Sequence, residues 1–206
     1  MYMQMDIDRI ALTRVLKSRL ARCTSTNQKE GSSSRSNHDY SKRIPAAVLL
    51  IIHFTDGYAK ILLCKRSERL RNHAGQISFP GGIFKPEDGS LLDTALREAR
   101  EEIGIDISKD SILGSLDDVN TYSSNFTVKP FVAVLDSISS IKIDGREVDY
   151  IIDAPLVELL SSMSKDEEHG YREAYKFTYN GHVIWGATAR MLKQLRDVLE
   201  DIILYH

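Results

Sequence analysis

Cysteine is scarce. Cys23 and Cys64 are the only two in 206 residues, and neither belongs to a CxxC pair or a His/Cys cluster. That count excludes a disulfide framework and a zinc-finger-type site, and makes a reducing intracellular setting the default. Long apolar runs are also lacking. The longest, Ile44 to Ile52, has about half the length that a membrane-spanning helix needs, so no membrane partner is expected. No charge of one sign dominates: 27 Lys and Arg stand against 29 Asp and Glu, a net of −2. Without a basic stripe there is no electrostatic footprint for a nucleic acid. The first residues have no apolar core of a secretory leader, and they carry Asp6 and Asp8. Those acids also argue against a mitochondrial presequence. The cytoplasm is the expected location, with the mitochondrion as the alternative.

What is present is an ordinary globular composition, 42% hydrophobic and 27% charged. Residues 1–23 hold an amphipathic helix, with Ile7, Ile10, Ala11, Val15 and Leu16 at helical spacing. Residues 24–42 are polar and read as a flexible linker, so the compact domain is expected over 43–206. Ala46 to Phe54 is a continuous branched apolar run, a buried strand. Asp56-Gly57 turns it into a second strand, Lys60 to Lys65. Asp93 to Ile103 is the clearest helix, stopped by Gly104. Further strands are expected at 112–117, 128–135 and 147–152, and a short helix at 155–160. Asn180-Gly181 joins two strands as a hairpin. Gly186 to Leu204 closes the chain with an amphipathic helix, and Trp185 just before it reads as core. Strands with one inserted and one terminal helix imply an α+β fold, layered α/β/α.

The organising feature is Arg97-Glu98-Ala99-Arg100-Glu101-Glu102 within that clearest helix. At about 100° per residue, Glu98, Glu101 and Glu102 share a side opposite Ala95, Ala99 and Ile103. The helix should bury its apolar side and turn the carboxylates outward. Three like charges this close repel unless a cation lies among them. Arg97 and Arg100 offset part of the repulsion; Mg²⁺, a hard cation that favours oxygen ligands, does so better. A solvated face laced with Arg–Glu pairs is the plainer alternative.

From Gly82 to Ile105 the sequence resembles the Nudix box. That pattern is Gly, five residues, Glu, seven residues, then Arg-Glu-apolar-any-Glu-Glu-any-Gly-apolar. Arg97, Glu98, Ala99, Glu101, Glu102, Gly104 and Ile105 match its second half position for position. In the first half Asp88 holds the place of the first Glu, and eight residues rather than seven separate it from Arg97. The resemblance implies a Nudix-like α/β/α sandwich with a mixed central sheet, a catalytic helix after a Gly-Gly loop and a C-terminal helix. It implies a Mg²⁺- or Mn²⁺-dependent hydrolase of nucleoside diphosphate derivatives. Glu98, Glu101 and Glu102 would be metal ligands, joined by a main-chain carbonyl of Gly81 or Gly82, with Arg97 holding the glutamates. A carboxylate from outside the box is expected as well: Glu147 first, Asp149 as fallback, Asp117 or Asp118 behind them.

Just upstream, Leu62-Leu63, Arg66-Ser67, Arg71, Gly75 and Phe79-Pro80-Gly81-Gly82 resemble the motif of the coenzyme A pyrophosphatase branch, with Cys64 where that motif has Thr. The resemblance implies coenzyme A or acyl-coenzyme A as the small-molecule substrate, with 3′,5′-ADP and (acyl-)4′-phosphopantetheine as products. Arg66, Arg69, Arg71 and His73 are the candidate anion partners, and Gln76 and Ser78 further substrate contacts. A homodimer is the assembly it allows. Two alternatives stay open: a Nudix enzyme for ADP-ribose or NADH, and a non-catalytic nucleotide-binding module that kept the fold.

Overall fold

In a computed structural model, residues 8–26, 43–70, 72–122, 124–169 and 174–204 are described. The apolar run read as a buried strand is strand β1, Ile44–Thr55. Its side chains alternate: Leu50 and Ile52 enter one core, Leu49 and Ile51 another, and all four are fully buried. A strand covered on both faces needs no polar side, which is why the run is continuous rather than alternating. Asp56 and Gly57 take φ of 53° and 86°, and return the chain antiparallel as β2, Tyr58–Arg66. Short strands β3 (Ile77–Ser78) and β4 (Gly81–Ile83) follow. Then come helix α2 (Leu91–Ile103), β5 (Ile112–Ser115), β6 (Val119–Asn120), β7 (Phe126–Leu135) and β8 (Val148–Pro155), after helix α1 (Arg9–Thr26) at the start.

These eight strands form one mixed sheet, with β1 and β7 parallel over ten residue pairs and the other pairings antiparallel. On its other edge β1 changes partner. Ile52 to Thr55 pair with β2, whereas Ala46 to Val48 pair with β4. The sheet therefore parts between β2 and β4. A second, three-stranded sheet joins β9 (Ser164–Lys165), β10 (Tyr175–Tyr179) and β11 (His182–Ile184). Its hairpin turns at Asn180-Gly181, both at positive φ as the expected turn requires. Helices α3 (Leu156–Ser161), α4 (Gly186–Val198) and α5 (Glu200–Leu204) complete the chain.

Helix α2 covers one face of the sheet through Ala95, Ala99 and Ile103. The opposite face carries Leu12, Leu16 and Leu20 of α1 with the leucines of α3 and α4. The result is the expected α+β sandwich with a mixed sheet.

Three expectations change. The buried stripe of α1 is Leu12, Leu16 and Leu20, whereas Ile10 is 65% exposed and Ile7 lies outside the described residues. Spacing of four along the helix aligns the leucines on one row, and that row faces the sheet. The helix also runs to Thr26, into the segment read as linker; residues 27–42 lie outside the described residues. The compact body therefore does not begin at Arg43, because α1 belongs to the same core. Finally, the terminal helix read as continuous over 186–204 breaks at Leu199 into α4 and α5.

If α1 is integral, Leu16→Ala should lower stability by about 2–5 kcal/mol, the range for deleting a buried leucine side chain. Urea denaturation reads this directly. A loss under about 0.5 kcal/mol, typical of surface positions, would place α1 outside the core.

Candidate functional site

Helix α2 is started by Ser90, whose hydroxyl oxygen accepts from the Asp93 N–H at 3.1 Å, and stopped by Gly104 at φ 71°. Between these caps Arg97 is a hub. Its Nε and Nη2 donate to the two oxygens of Asp88 at 2.6 and 3.0 Å. Its Nη1 reaches Glu98 Oε1 at 2.7 Å and Glu101 Oε2 at 3.1 Å. Asp88 also accepts from the Lys85 N–H and the Thr94 hydroxyl. The Arg97 guanidinium, more than any other partner, holds the Asp88 carboxyl far below the usual carboxylate range. The extra residue before Arg97 therefore leaves Asp88 with a definite job. It sits in a 3-10 turn, Pro86–Asp88, from which a short side chain reaches Arg97 in bidentate fashion.

Glu102 departs from the outward-facing expectation. Its carboxylate is 5% exposed and lies under β4, where Oε2 accepts from the Gly81 N–H at 3.1 Å. Glu102 stands at the flank where α2 meets β4, so it is covered by the strand rather than by solvent. Oε1 is buried with no hydrogen-bond partner, and Arg66 Nη1 is 3.8 Å away, beyond bonding distance. Burial pushes the Glu102 carboxyl up to about 8, against the opposing pull of the Gly81 N–H and Arg66. A buried carboxylate left this incompletely satisfied costs energy unless a cation completes it.

Glu147, half exposed, lies on the far side of Arg66, with Nη2 to Oε2 at 3.8 Å. Its place is set by Asp144. The Asp144 Oδ1 accepts from the Arg146 and Glu147 N–H groups, and the Asp144 N–H donates to the Glu102 carbonyl at 3.1 Å. The Glu147 carbonyl in turn accepts from the Ser67 N–H at 2.8 Å. Of the other carboxylates considered, Asp118 pairs with Lys129, and neither Asp149 nor Asp117 borders the cavity described next.

A cavity of about 560 Å³ lies along the parting of the sheet. Glu98, Glu101, Glu147, Arg66, His73, Gln76, Ser78 and Gly82 all line it. The glycine pair makes this possible. A Cβ on Gly82 would lie 2.5 Å from Glu98 Oε1, and one on Gly81 would lie 2.3 Å from the Ala47 carbonyl oxygen. The substrate-side residues are tied to one another: His73 Nδ1 lies 2.9 Å from Gln76 Oε1, and the Arg66 N–H donates to the Gln76 carbonyl. Arg97 and Glu102 stand behind the lining rather than in it. Arg69 is exposed and away from the cavity, which removes it from the anion partners; Arg71 lies outside the described residues. Trp185 is not core: it is half-buried and borders the cavity, because it stands in extended conformation at the N-cap of α4.

Among the described residues no three His, Cys, Asp or Glu side chains already converge on one point as metal ligands. Arg97 instead spans Glu98 and Glu101. The donor set still fits a hard divalent cation. Glu98 Oε1 lies against the Gly82 backbone, Glu101 lines the same cavity, and Glu102 accepts from the Gly81 N–H while its other oxygen is buried without a partner. Sequence reasoning missed Asp144, and also Tyr122 and Arg190, which line the cavity as well. Asp144 and Arg190 sit in stretches without motif, and Tyr122 reads as one more loop aromatic. Their signal is tertiary, since the cavity unites chain segments far apart in sequence. No helix among the described residues is long and apolar enough to cross a membrane.

Comparison with known proteins gives consistent results. The NUDIX domain family matches residues 43–181. An uncharacterized Nudix hydrolase NudL from Photorhabdus laumondii is 40% identical over 163 residues, covering 75% of this chain and 84% of the relative. Its counterpart from Yersinia pestis is 35% identical, covering 77% and 82%. Among solved structures, a MutT/nudix family protein from Enterococcus faecalis superposes with a TM-score of 0.57 at 13% identity, covering 95% of this chain and 76% of that one. The NUDIX domain of Shewanella oneidensis NrtR, in complex with ADP ribose, gives 0.56 at 17% identity, covering 85% and 97%. At these identities the two structures speak for the fold.

The Asp88–Arg97 pair has a pH signature. The folded carboxyl titrates below its unfolded value of about 4. Its stabilisation is therefore complete above that pH and drains as pH falls towards the folded value. Asp88→Asn should destabilise the protein at neutral pH by more than the ~1 kcal/mol of an exposed pair, since the Asp88 side chain is covered and bonded in bidentate fashion to Arg97. The gap from the parent protein should narrow as denaturation is repeated from about pH 4 down to pH 2. A gap that stays constant over that range would contradict the assignment.

Proposed function

This chain belongs to the NUDIX domain family and is on that ground a Nudix hydrolase; from that premise we propose that it cleaves the pyrophosphate bond of coenzyme A or its derivatives, giving 3′,5′-ADP and (acyl-)4′-phosphopantetheine. The observation that carries the reading is the shared cavity. It brings Arg66, Phe79, Gly81 and Gly82, positions of the coenzyme A motif, and the intervening His73, Gln76 and Ser78 to the same space as Glu98, Glu101 and Glu147.

In this reading Glu98, Glu101 and Glu102, with the Gly82 carbonyl, hold Mg²⁺ or Mn²⁺. When bound, such an ion supplies positive charge against the pyrophosphate oxygens and makes a neighbouring water more acidic. The protein's own groups do the rest. Asp88 fixes the Arg97 guanidinium, and Arg97 fixes Glu98 and Glu101 in turn. Arg66, lying between Glu102 and Glu147, is placed to hold a phosphate oxygen by its bidentate fork. Glu147, half exposed and steadied by Asp144, receives the proton released as the water oxygen bonds to phosphorus and the bridging P–O bond breaks. Positioning and charge stabilisation carry most of the rate, as in phosphoryl transfer generally.

The purified protein incubated with Mg²⁺ and coenzyme A, acyl-coenzyme A, ADP-ribose, NADH or dinucleoside polyphosphates tests this. Release of 3′,5′-ADP from coenzyme A is expected; turnover of ADP-ribose with coenzyme A untouched would sink the substrate assignment. Glu102→Gln keeps an acceptor for the Gly81 N–H but removes the charge. It should cut turnover by at least about a hundredfold, the upper range for disturbing a metal site. Without metal its thermal midpoint should fall by no more than a few degrees, because burial already favours the uncharged form of the Glu102 carboxyl at neutral pH. Retained activity would contradict the role of Glu102.

A further inference from the structure

The chemistry above leaves one wall of the cavity unused. Trp185, the sole tryptophan of the chain, borders that cavity. His169 lies flat against its indole, with ring centroids 3.9 Å apart and planes 12° from parallel. His169 is itself fixed. Its Nδ1 is 2.9 Å from both oxygens of Asp166, and Asp166 Oδ1 also accepts from the N–H groups of Glu168 and His169. The Asp166 side chain is 1% exposed. Burying a carboxylate to hold an imidazole against an indole does more than fill space, which an aliphatic side chain would do without the desolvation cost. Its effect is to fix the orientation of a large flat π surface at the edge of a cavity. One turn into α4 the same cavity is bordered by Arg190, whose guanidinium lies over the Tyr122 ring at 4.6 Å. Aromatic surface and a cation thus border the same cavity within one turn of the start of α4.

We propose that Trp185, backed by His169 and Asp166, is the platform on which the adenine ring of the substrate stacks. This rests on the coenzyme A reading and assigns the 3′,5′-ADP half of that molecule to the Trp185 wall. The other half, 4′-phosphopantetheine, has no aromatic ring to match a fixed indole, only two small amide planes on a flexible chain. A planar purine does, and stacking on an aromatic side chain is a sequence-tolerant source of affinity for bases. Arg190 supplies positive charge on the same wall for the additional phosphate of this nucleotide.

A single tryptophan makes the test direct. The emission of the full-length protein, with Mg²⁺, is titrated with 3′,5′-ADP, 5′-ADP and 4′-phosphopantetheine. Both adenine nucleotides should quench it saturably, and 4′-phosphopantetheine should not. By calorimetry Trp185→Leu should weaken 3′,5′-ADP binding roughly tenfold or more, as loss of one base stack implies. Trp185→Phe should stay within about threefold of the parent, since a ring remains. His169→Ala should weaken 3′,5′-ADP severalfold and leave 4′-phosphopantetheine unchanged, a selectivity that general loosening of the fold would not produce. Quenching by 4′-phosphopantetheine without quenching by the nucleotides overturns the proposal, as does unaltered 3′,5′-ADP affinity in Trp185→Leu. Nucleotide quenching in a protein that leaves coenzyme A intact supports the platform and removes the substrate reading. Turnover of coenzyme A with no quenching by either nucleotide removes the platform alone.

Discussion

The site depends on one close approach. Strand β4 can lie between β1 and α2 only because Gly81 puts no side chain against β1 and Gly82 none against Glu98 of α2. With a Cβ at either position, backbone or carboxylate would be displaced by an ångström or so. That closeness has two effects. It lets the Gly81 N–H reach the buried Glu102, and it lets a cavity formed on the sheet's parting edge border the carboxylates of a helix packed on one face. The sheet contributes the opening, because β1 exchanges β2 for β4 partway along its length. The glycines contribute the passage from that opening to the helix.

Around this contact the charges divide into two groups with opposite characters. Asp88 and Arg97 satisfy each other fully and stiffen the start of α2, so they serve the fold as much as the chemistry. Glu102 and Arg66 do not satisfy each other: 3.8 Å separates them, and one Glu102 oxygen has no partner. A fold optimised only for stability would not keep a buried, incompletely paired carboxylate. Retaining one beside a complete ion pair is the pattern expected where a helix must be rigid and its reactive end must stay available.

Much of this was legible in the sequence because it is local. The helix with its Gly104 stop, the two positive-φ hairpins and the doubly buried β1 each announce themselves within a dozen residues. The carboxylates and the residues Arg66 to Ser78 were legible as spacing, and the structure brings Glu98, Glu101, Glu147, Arg66, His73, Gln76 and Ser78 to one cavity. What failed was orientation. Periodicity places Glu102 on the polar side of α2, but an adjoining strand covers that side. Periodicity likewise gave α1 a stripe through Ile10, whereas the sheet selects Leu12, Leu16 and Leu20. Trp185 read as core by residue type, yet a neighbouring imidazole fixes it at the cavity edge. Each error concerns what lies opposite a side chain, which a single segment does not encode.

The position of α1 separates two lengths that are easily conflated. Residues 43–181 match the family, and every residue given a catalytic role lies within them. The folding unit is longer at both ends. Leu12, Leu16 and Leu20 share a core with Leu192 and Leu195 of α4, and Arg19 bonds the Val198 carbonyl and pairs with Asp201. The first and last helices thus brace each other across the back of the sheet whose other face carries α2. A fragment cut to the family boundaries would retain the metal-binding and proton-accepting carboxylates but lose the Trp185 and Arg190 side of the cavity and the foundation beneath both. Selection on α1 would then act through the persistence of the folded state rather than through the reaction.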